Sequence, residues 1–190
     1  MAIALGSFEF PPSSGVEYLS LPQNRLASTI LMTSITNTKD NIIIVGAGIA
    51  GTTLALGLTA ANYRVHLVER RLDYQRRGGT YLMQPNSIRA MDEICPAVME
   101  TLHPTGIPIP MSGGKMYVWG SVRDALVEQV QKKESIVMHN GWSFESCTEE
   151  EDCVKVHLQS TEDPTRKLTL SGALLVGADG VHSAVRSQVL

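Results

Sequence analysis

The stretch NIIIVGAGIAGTTLALGL, residues 41–58, decides how this chain folds. A β-branched apolar run breaks into three glycines and then resumes as small and aliphatic residues. Residues 41–45 have the continuous apolar character of a parallel strand buried on both faces. The residues from Ile49 onward read as a helix. Between them lies Gly46-x-Gly48-x-x-Gly51, in which each glycine has its own task. Gly46 permits the tight turn, Gly48 lets a ligand approach the backbone, and Gly51 lets helix and strand pack closely. The helix start, at Ile49 and Ala50, would turn unpaired N–H groups and a partial positive charge toward a pyrophosphate.

Downstream the alternation continues. RVHLVER is a second strand, and Glu69 stands at its end. A carboxylate there accepts hydrogen bonds from ribose hydroxyls and repels a 2′-phosphate, which favours FAD or NAD over NADP at this first site. Asn62 occupies the preceding turn, where it tolerates left-handed geometry. QPNSIRAMDEICPAVMETL reads as a helix with Pro85 near its start and Pro96 as a break. KMYVWG is a strand, SVRDALVEQVQKK an amphipathic helix, and SIVMH, SFESCT and CVKVHLQS are three more strands. The acidic EEED makes a hairpin turn between the last two. KLTLSGALLVGADG is a strand pair, and VHSAVRSQVL begins a helix.

This order predicts an α/β chain: a Rossmann-like βαβ dinucleotide-binding domain over residues 41–190, with a parallel sheet and a β-hairpin or meander insertion. Residues 1–40, rich in Ser, Thr, Pro and Asn and without a persistent period, read as a flexible N-terminal extension. Met32 is an alternative start.

Bulk properties narrow the function. Of 190 residues, 43% are hydrophobic and 18% charged, which describes a soluble globular protein. A formal net charge of -3 provides no general attraction to nucleic acid or anionic lipid. No apolar run is long enough to span a membrane. Cys95, Cys147 and Cys153 show no CxxC spacing and no pairing with His. They read as thiols of a reducing, cytoplasmic compartment, with no metal site expected. Trp119 and Trp142 read as packing residues and His182 as solvent-facing. No Ser/His/Asp arrangement suggests a hydrolase. None of the five tyrosines has the Lys four residues on that a short-chain dehydrogenase would need.

The glycine turn leaves the dinucleotide open, and GADGVHSAVR at 177–186 narrows it. With VGAGIAGTTLALGLTAANYRVHLVERR, GGTYLMQPNSIRAM, SVRDALVEQV and LLVGADGVHSAVR in order, residues 41–190 resemble the FAD-dependent monooxygenases of the aromatic-hydroxylase type, the group of salicylate and para-hydroxybenzoate hydroxylases. The resemblance implies FAD as cofactor, NAD(P)H as reductant and a small organic substrate that is hydroxylated or epoxidised with O₂. It implies that Arg123 reaches the FAD pyrophosphate, where a planar cation suits two phosphates. Asp179 would accept from the ribityl hydroxyls, and Gly180 would leave room for the cofactor.

Arg70 is expected near the adenosine, beside Arg71. Arg76, Arg77, Gly79 and Gln84 are candidates beside the flavin or pyrophosphate, and Arg186 a candidate contact for the reductant. The family's later Gly-Asp motif and substrate-covering sheet do not appear in this sequence. The expectation is therefore a partial or truncated monooxygenase. The alternative is a non-catalytic dinucleotide-binding module acting with a partner chain that supplies the missing half. The sequence identifies no catalytic residue.

Overall fold

A computed structural model describes residues 2–5, 41–72 and 79–189. At its centre are strands β2 (Asn41–Val45), β3 (Arg64–Glu69), β7 (Ile136–Asn140) and β11 (Leu174–Gly177), ordered β11-β2-β3-β7 and mutually parallel. Ile43, Ile44, Leu67 and Leu175 are completely buried, because a parallel sheet covered on both faces has no polar side. An additional strand, β1 (Ala2–Leu5), pairs antiparallel with β11 at the sheet edge. It lies in the segment read as an extension. The remainder of residues 1–40, Met32 included, falls outside the described residues, as do Arg76 and Arg77.

One face of the sheet is covered by helices. The helix α1 (Ile49–Ala60) follows the glycine turn and buries Ala55 and Leu56. Helix α4 (Trp119–Gln131) buries Val122, Leu126 and Val130 beside it. The proline-divided segment forms two helices, α2 (Pro85–Ile94) and α3 (Pro96–Leu102), each with proline in its first turn. Asn62, at φ 65°, makes the turn from α1 into β3.

The opposite face is covered by an antiparallel meander: β8 (Trp142–Glu149), β9 (Val154–Ser160) and β10 (Lys167–Gly172). Val154, Val156 and Leu158 alternate inward along β9 against Ile43, Val45, Val68 and Leu175. Burying a side chain of this size contributes roughly 1.5–3 kcal/mol. The strands β10 and β11 are both present as expected, but they belong to different sheets. β10 pairs with β9, whereas β11 enters the parallel sheet beside β2.

A third sheet has no counterpart in the sequence reading beyond KMYV. Strands β4 (Thr80–Met83), β6 (Lys115–Val118) and β5 (Ile107–Pro108) pair in the order β4-β6-β5. One face, carrying Met83 and Tyr117, joins the helical core. A final short helix, α5 (Ala184–Val189), closes the described chain.

Candidate functional site

The carboxyl ends of β2, β3, β7 and β11 lie along one edge of the parallel sheet, the edge at which open α/β sheets bind ligands. A cavity of about 570 Å³ opens there. Gly46 makes the turn at φ +107°, donating its N–H to Val68 O at 2.8 Å. Ala178 on the neighbouring strand end donates to Val45 O at 2.7 Å, so the Gly46 and Asp179 turns are held side by side.

The three glycines of the motif behave differently. A Cβ on Gly46 would sit 2.4 Å from Ala178 O, and one on Gly51 only 1.9 Å from Gly46 O. Both are glycines because backbone passes against backbone. A Cβ on Gly48 would meet no protein atom within 4 Å, and Gly48 lines the cavity. Gly180, at φ +92°, likewise has nothing where its Cβ would project and lines the same cavity. The molecule thus leaves open the space into which two backbone turns face. A pyrophosphate approaching closely enough to accept backbone N–H bonds needs that space, so the residues present fit a dinucleotide.

Glu69 is buried at the end of β3 and lines the cavity. One carboxylate oxygen accepts the Ala47 N–H at 3.1 Å, and the other accepts the Arg71 N–H at 3.0 Å. It therefore braces the glycine turn as well as facing the ligand space. Arg123, only 4% exposed, reaches the same cavity from α4, with its guanidinium 4.0 Å from Glu69 and 5.9 Å from the centre of the Trp119 ring.

Asp179 has a further task that the sequence did not disclose. Its carboxylate accepts from Ser183 Oγ at 2.6 Å and from the Ala184 and Val185 N–H groups at 2.7 and 3.3 Å. Asp179 and Ser183 together satisfy the free N–H groups at the start of α5, since Ser183 Oγ also accepts from Arg186 N at 3.0 Å.

The remaining expected residues divide. Arg70 is exposed and lines the cavity with Arg71 and His182. Ile49 and Ala50 open onto a neighbouring apolar cavity of about 680 Å³ between α1, α2 and β4. Gly79 and Gln84 line neither. Gly79 accepts the Trp119 N–H at 3.0 Å, and Gln84 precedes α2. Arg186 donates to Val181 O at 2.7 Å beside a smaller cavity of about 280 Å³. Trp119, Trp142 and Phe144, which sequence reasoning set aside or did not single out, line the main cavity. Trp142 is brought there by strand pairing between distant segments, which leaves no local signal.

Away from the cavity, His66 Nδ1 and His139 Nε2 lie 3.0 Å apart on β3 and β7. Burial lowers the pKa of both, and for His139 the neighbouring His66 lowers it further. No helix among the described residues is long and apolar enough to cross a membrane.

Residues 44–80 match the NAD(P)-binding Rossmann-like domain family, and residues 115–190 match the FAD-binding domain family. The FAD-dependent monooxygenase ausM of Emericella nidulans is 30% identical over 166 residues, covering 78% of this chain and 34% of that protein. The protein of the same name from Aspergillus calidoustus is 29% identical over 175 residues, covering 83% and 37%. This chain thus spans about a third of the length of these relatives. Among solved structures, the flavin-dependent monooxygenase PieE, in complex with FAD and substrate, superimposes with a TM-score of 0.71 at 20% identity, covering 80% of this chain and 32% of that one. Over its matched domains the chain is similar to part of the FAD-dependent monooxygenases ausM, and it shares its fold with the solved flavin-dependent monooxygenase.

Proposed function

We propose that this chain holds FAD as part of a monooxygenase that uses NAD(P)H and O₂ to hydroxylate or epoxidise a small organic substrate. The observation that carries this reading is the pair of turns at Gly48 and Gly180. Both face a cavity of about 570 Å³ with no protein atom where a Cβ would stand. Bound FAD would supply the electron transfer that lets NAD(P)H and O₂ deliver one oxygen atom to the substrate and one to water. The chain's own residues bind and orient it. Gly46, Gly48 and Gly51 shape the turn, the N-terminus of α1 offers backbone N–H groups to the phosphates although Ile49 and Ala50 line the neighbouring apolar cavity, and Arg123 offsets the phosphate charge. Glu69 keeps acceptor capacity for a ribose beside the bonds from Ala47 and Arg71. Arg70 stands at the adenosine end, and Asp179 and Gly180 border the path toward the flavin. The 41–190 boundary of this unit and the cytoplasm as its location belong to the same proposal, the latter supported by three free cysteines.

A second reading, a dinucleotide-binding module completed by a partner chain, is favoured by one observation. On the β4-β6-β5 sheet, Leu82, Met116, Val118 and Ile107 share the face turned from the core, and Leu82, Val118 and Ile107 are 48%, 58% and 63% exposed. Beside this sheet lies the apolar cavity of about 680 Å³. Apolar surface of this kind is ordinarily covered, by more of a longer chain or by a partner.

The test is the visible absorption spectrum of the purified chain with FAD, followed by NADH and NADPH oxidation. A flavin band that co-elutes with protein and NAD(P)H-dependent O₂ uptake support the enzyme reading. Flavin binding without NAD(P)H oxidation supports the module. A protein that ignores FAD overturns the reading that this chain holds FAD by itself.

A further inference from the structure

Trp142 was expected to be a packing residue, and the fold gives it a second role. The register of β3 on β7 sets Glu69 opposite Asn140, the last residue of β7. Gly141, at φ +77°, then turns the chain, its N–H donating to Arg71 O at 3.3 Å and its carbonyl accepting from Thr161 N at 2.8 Å. Trp142 follows as the first residue of β8. The backbone leading into Trp142 is therefore held between the loop that leaves Glu69 and the end of β9, and Trp142 lines the main cavity with Phe144 two residues on. The exposed Arg166 guanidinium lies 5.7 Å from the indole centre, within reach of a cation–π contact. The same cavity is lined by Gly46 and Gly48 of the glycine turn, suited to phosphates, by Glu69, suited to a ribose, and by Arg70, Arg71 and Trp142.

Resting on the nucleotide reading above, we infer that Trp142 is the stacking wall for the adenine ring of the bound nucleotide, with Arg166 within cation–π reach of the indole. A purine has no charge for the arginines to grip and needs a flat apolar surface. An indole is the largest such surface a side chain provides.

The test measures FAD and ADP affinity in the wild-type chain, Trp142→Leu and Trp142→Phe. Leucine keeps apolar bulk against the meander and removes the π-face. Stacking of one base predicts about a ten- to hundredfold weaker Kd for both ligands in Trp142→Leu. Recovery to within about threefold is expected in Trp142→Phe. A second measurement requires no change at position 142. With only two tryptophans in the chain, Trp119→Phe leaves Trp142 as the sole indole, and ADP should quench its emission. Unchanged affinity in Trp142→Leu, or no quenching by bound ADP, overturns the inference while leaving the nucleotide site intact. A wild-type chain that binds neither FAD nor ADP overturns the site and this inference together.

Discussion

Replacing Gly48 by valine tests the site without touching the fold. Gly48 has φ −77° and ψ −175°, extended backbone that any residue adopts, and a Cβ there meets no protein atom within 4 Å. Valine is at ease in that conformation, so the change in stability should stay within about 1 kcal/mol. Its methyl groups would instead occupy the space into which the α1 N-terminus faces. A phosphate kept out by their bulk loses its backbone N–H bonds at the turn. Two charge-assisted bonds at about 1.5–3 kcal/mol each amount to about 3–6 kcal/mol, or a Kd weakened roughly 10²- to 10⁴-fold.

Gly51→Ala is the internal contrast, because its Cβ would fall 1.9 Å from Gly46 O and must push α1 off the strand. That variant should lose stability by several kcal/mol whether or not a cofactor is present. The assay is flavin titration followed by absorbance or calorimetry, with a thermal melt of each variant. A Gly48→Val protein that melts like wild type and binds FAD equally well would refute the placement of the pyrophosphate. One that fails to fold would refute the distinction drawn among the three glycines.

Other perturbations separate structural from ligand roles. Arg123→Met should both release FAD and lower the melting temperature, because it leaves buried Glu69 without the cation 4.0 Å away. Equal stability and binding in that variant would show that the pair is idle. Asp179→Ala removes the acceptor for Ser183 Oγ and two α5 N–H groups, with an expected cost of about 1–2 kcal/mol in a denaturant melt without cofactor. An unchanged melt would mean that α5 does not depend on this cap. For the His66–His139 pair, burial lowers both pKa values in the folded state. The unfolded chain therefore binds more protons as pH falls below the ordinary histidine value of about 6.5. Stability should be full above that value and decline on acidification toward the lowered folded pKa values. His66→Gln should flatten this part of the profile, and a slope identical to wild type would locate the acid sensitivity elsewhere.

The sequence by itself determined the βαβ core, because its signals are local. An unbroken β-branched run needs burial on both faces, the glycine spacing needs a tight strand-to-helix turn, and the prolines at 85 and 96 mark where helices begin. Asn62 could be read as a left-handed turn, and φ 65° is what it adopts. Glu69, Arg123 and Asp179 could be nominated from their positions at strand ends and in motifs, and the structure sets all three around one cavity.

Only the tertiary structure decided what those side chains touch. That Glu69 braces the Ala47 and Arg71 N–H groups, and that Asp179 caps α5, are hydrogen bonds to backbone donors freed by the fold, invisible in side-chain identity alone. The separation of β10 from β11 into different sheets depends on which neighbour each meets, since their apolar patterns suit either partner. Gly48 and Gly51 look alike in the sequence, and only the packed structure shows one facing open space and the other a carbonyl. Trp142 illustrates the limit most directly. Its place beside Glu69 comes from the pairing of β3 with β7, strands distant along the chain, and long-range pairing leaves no trace in local composition.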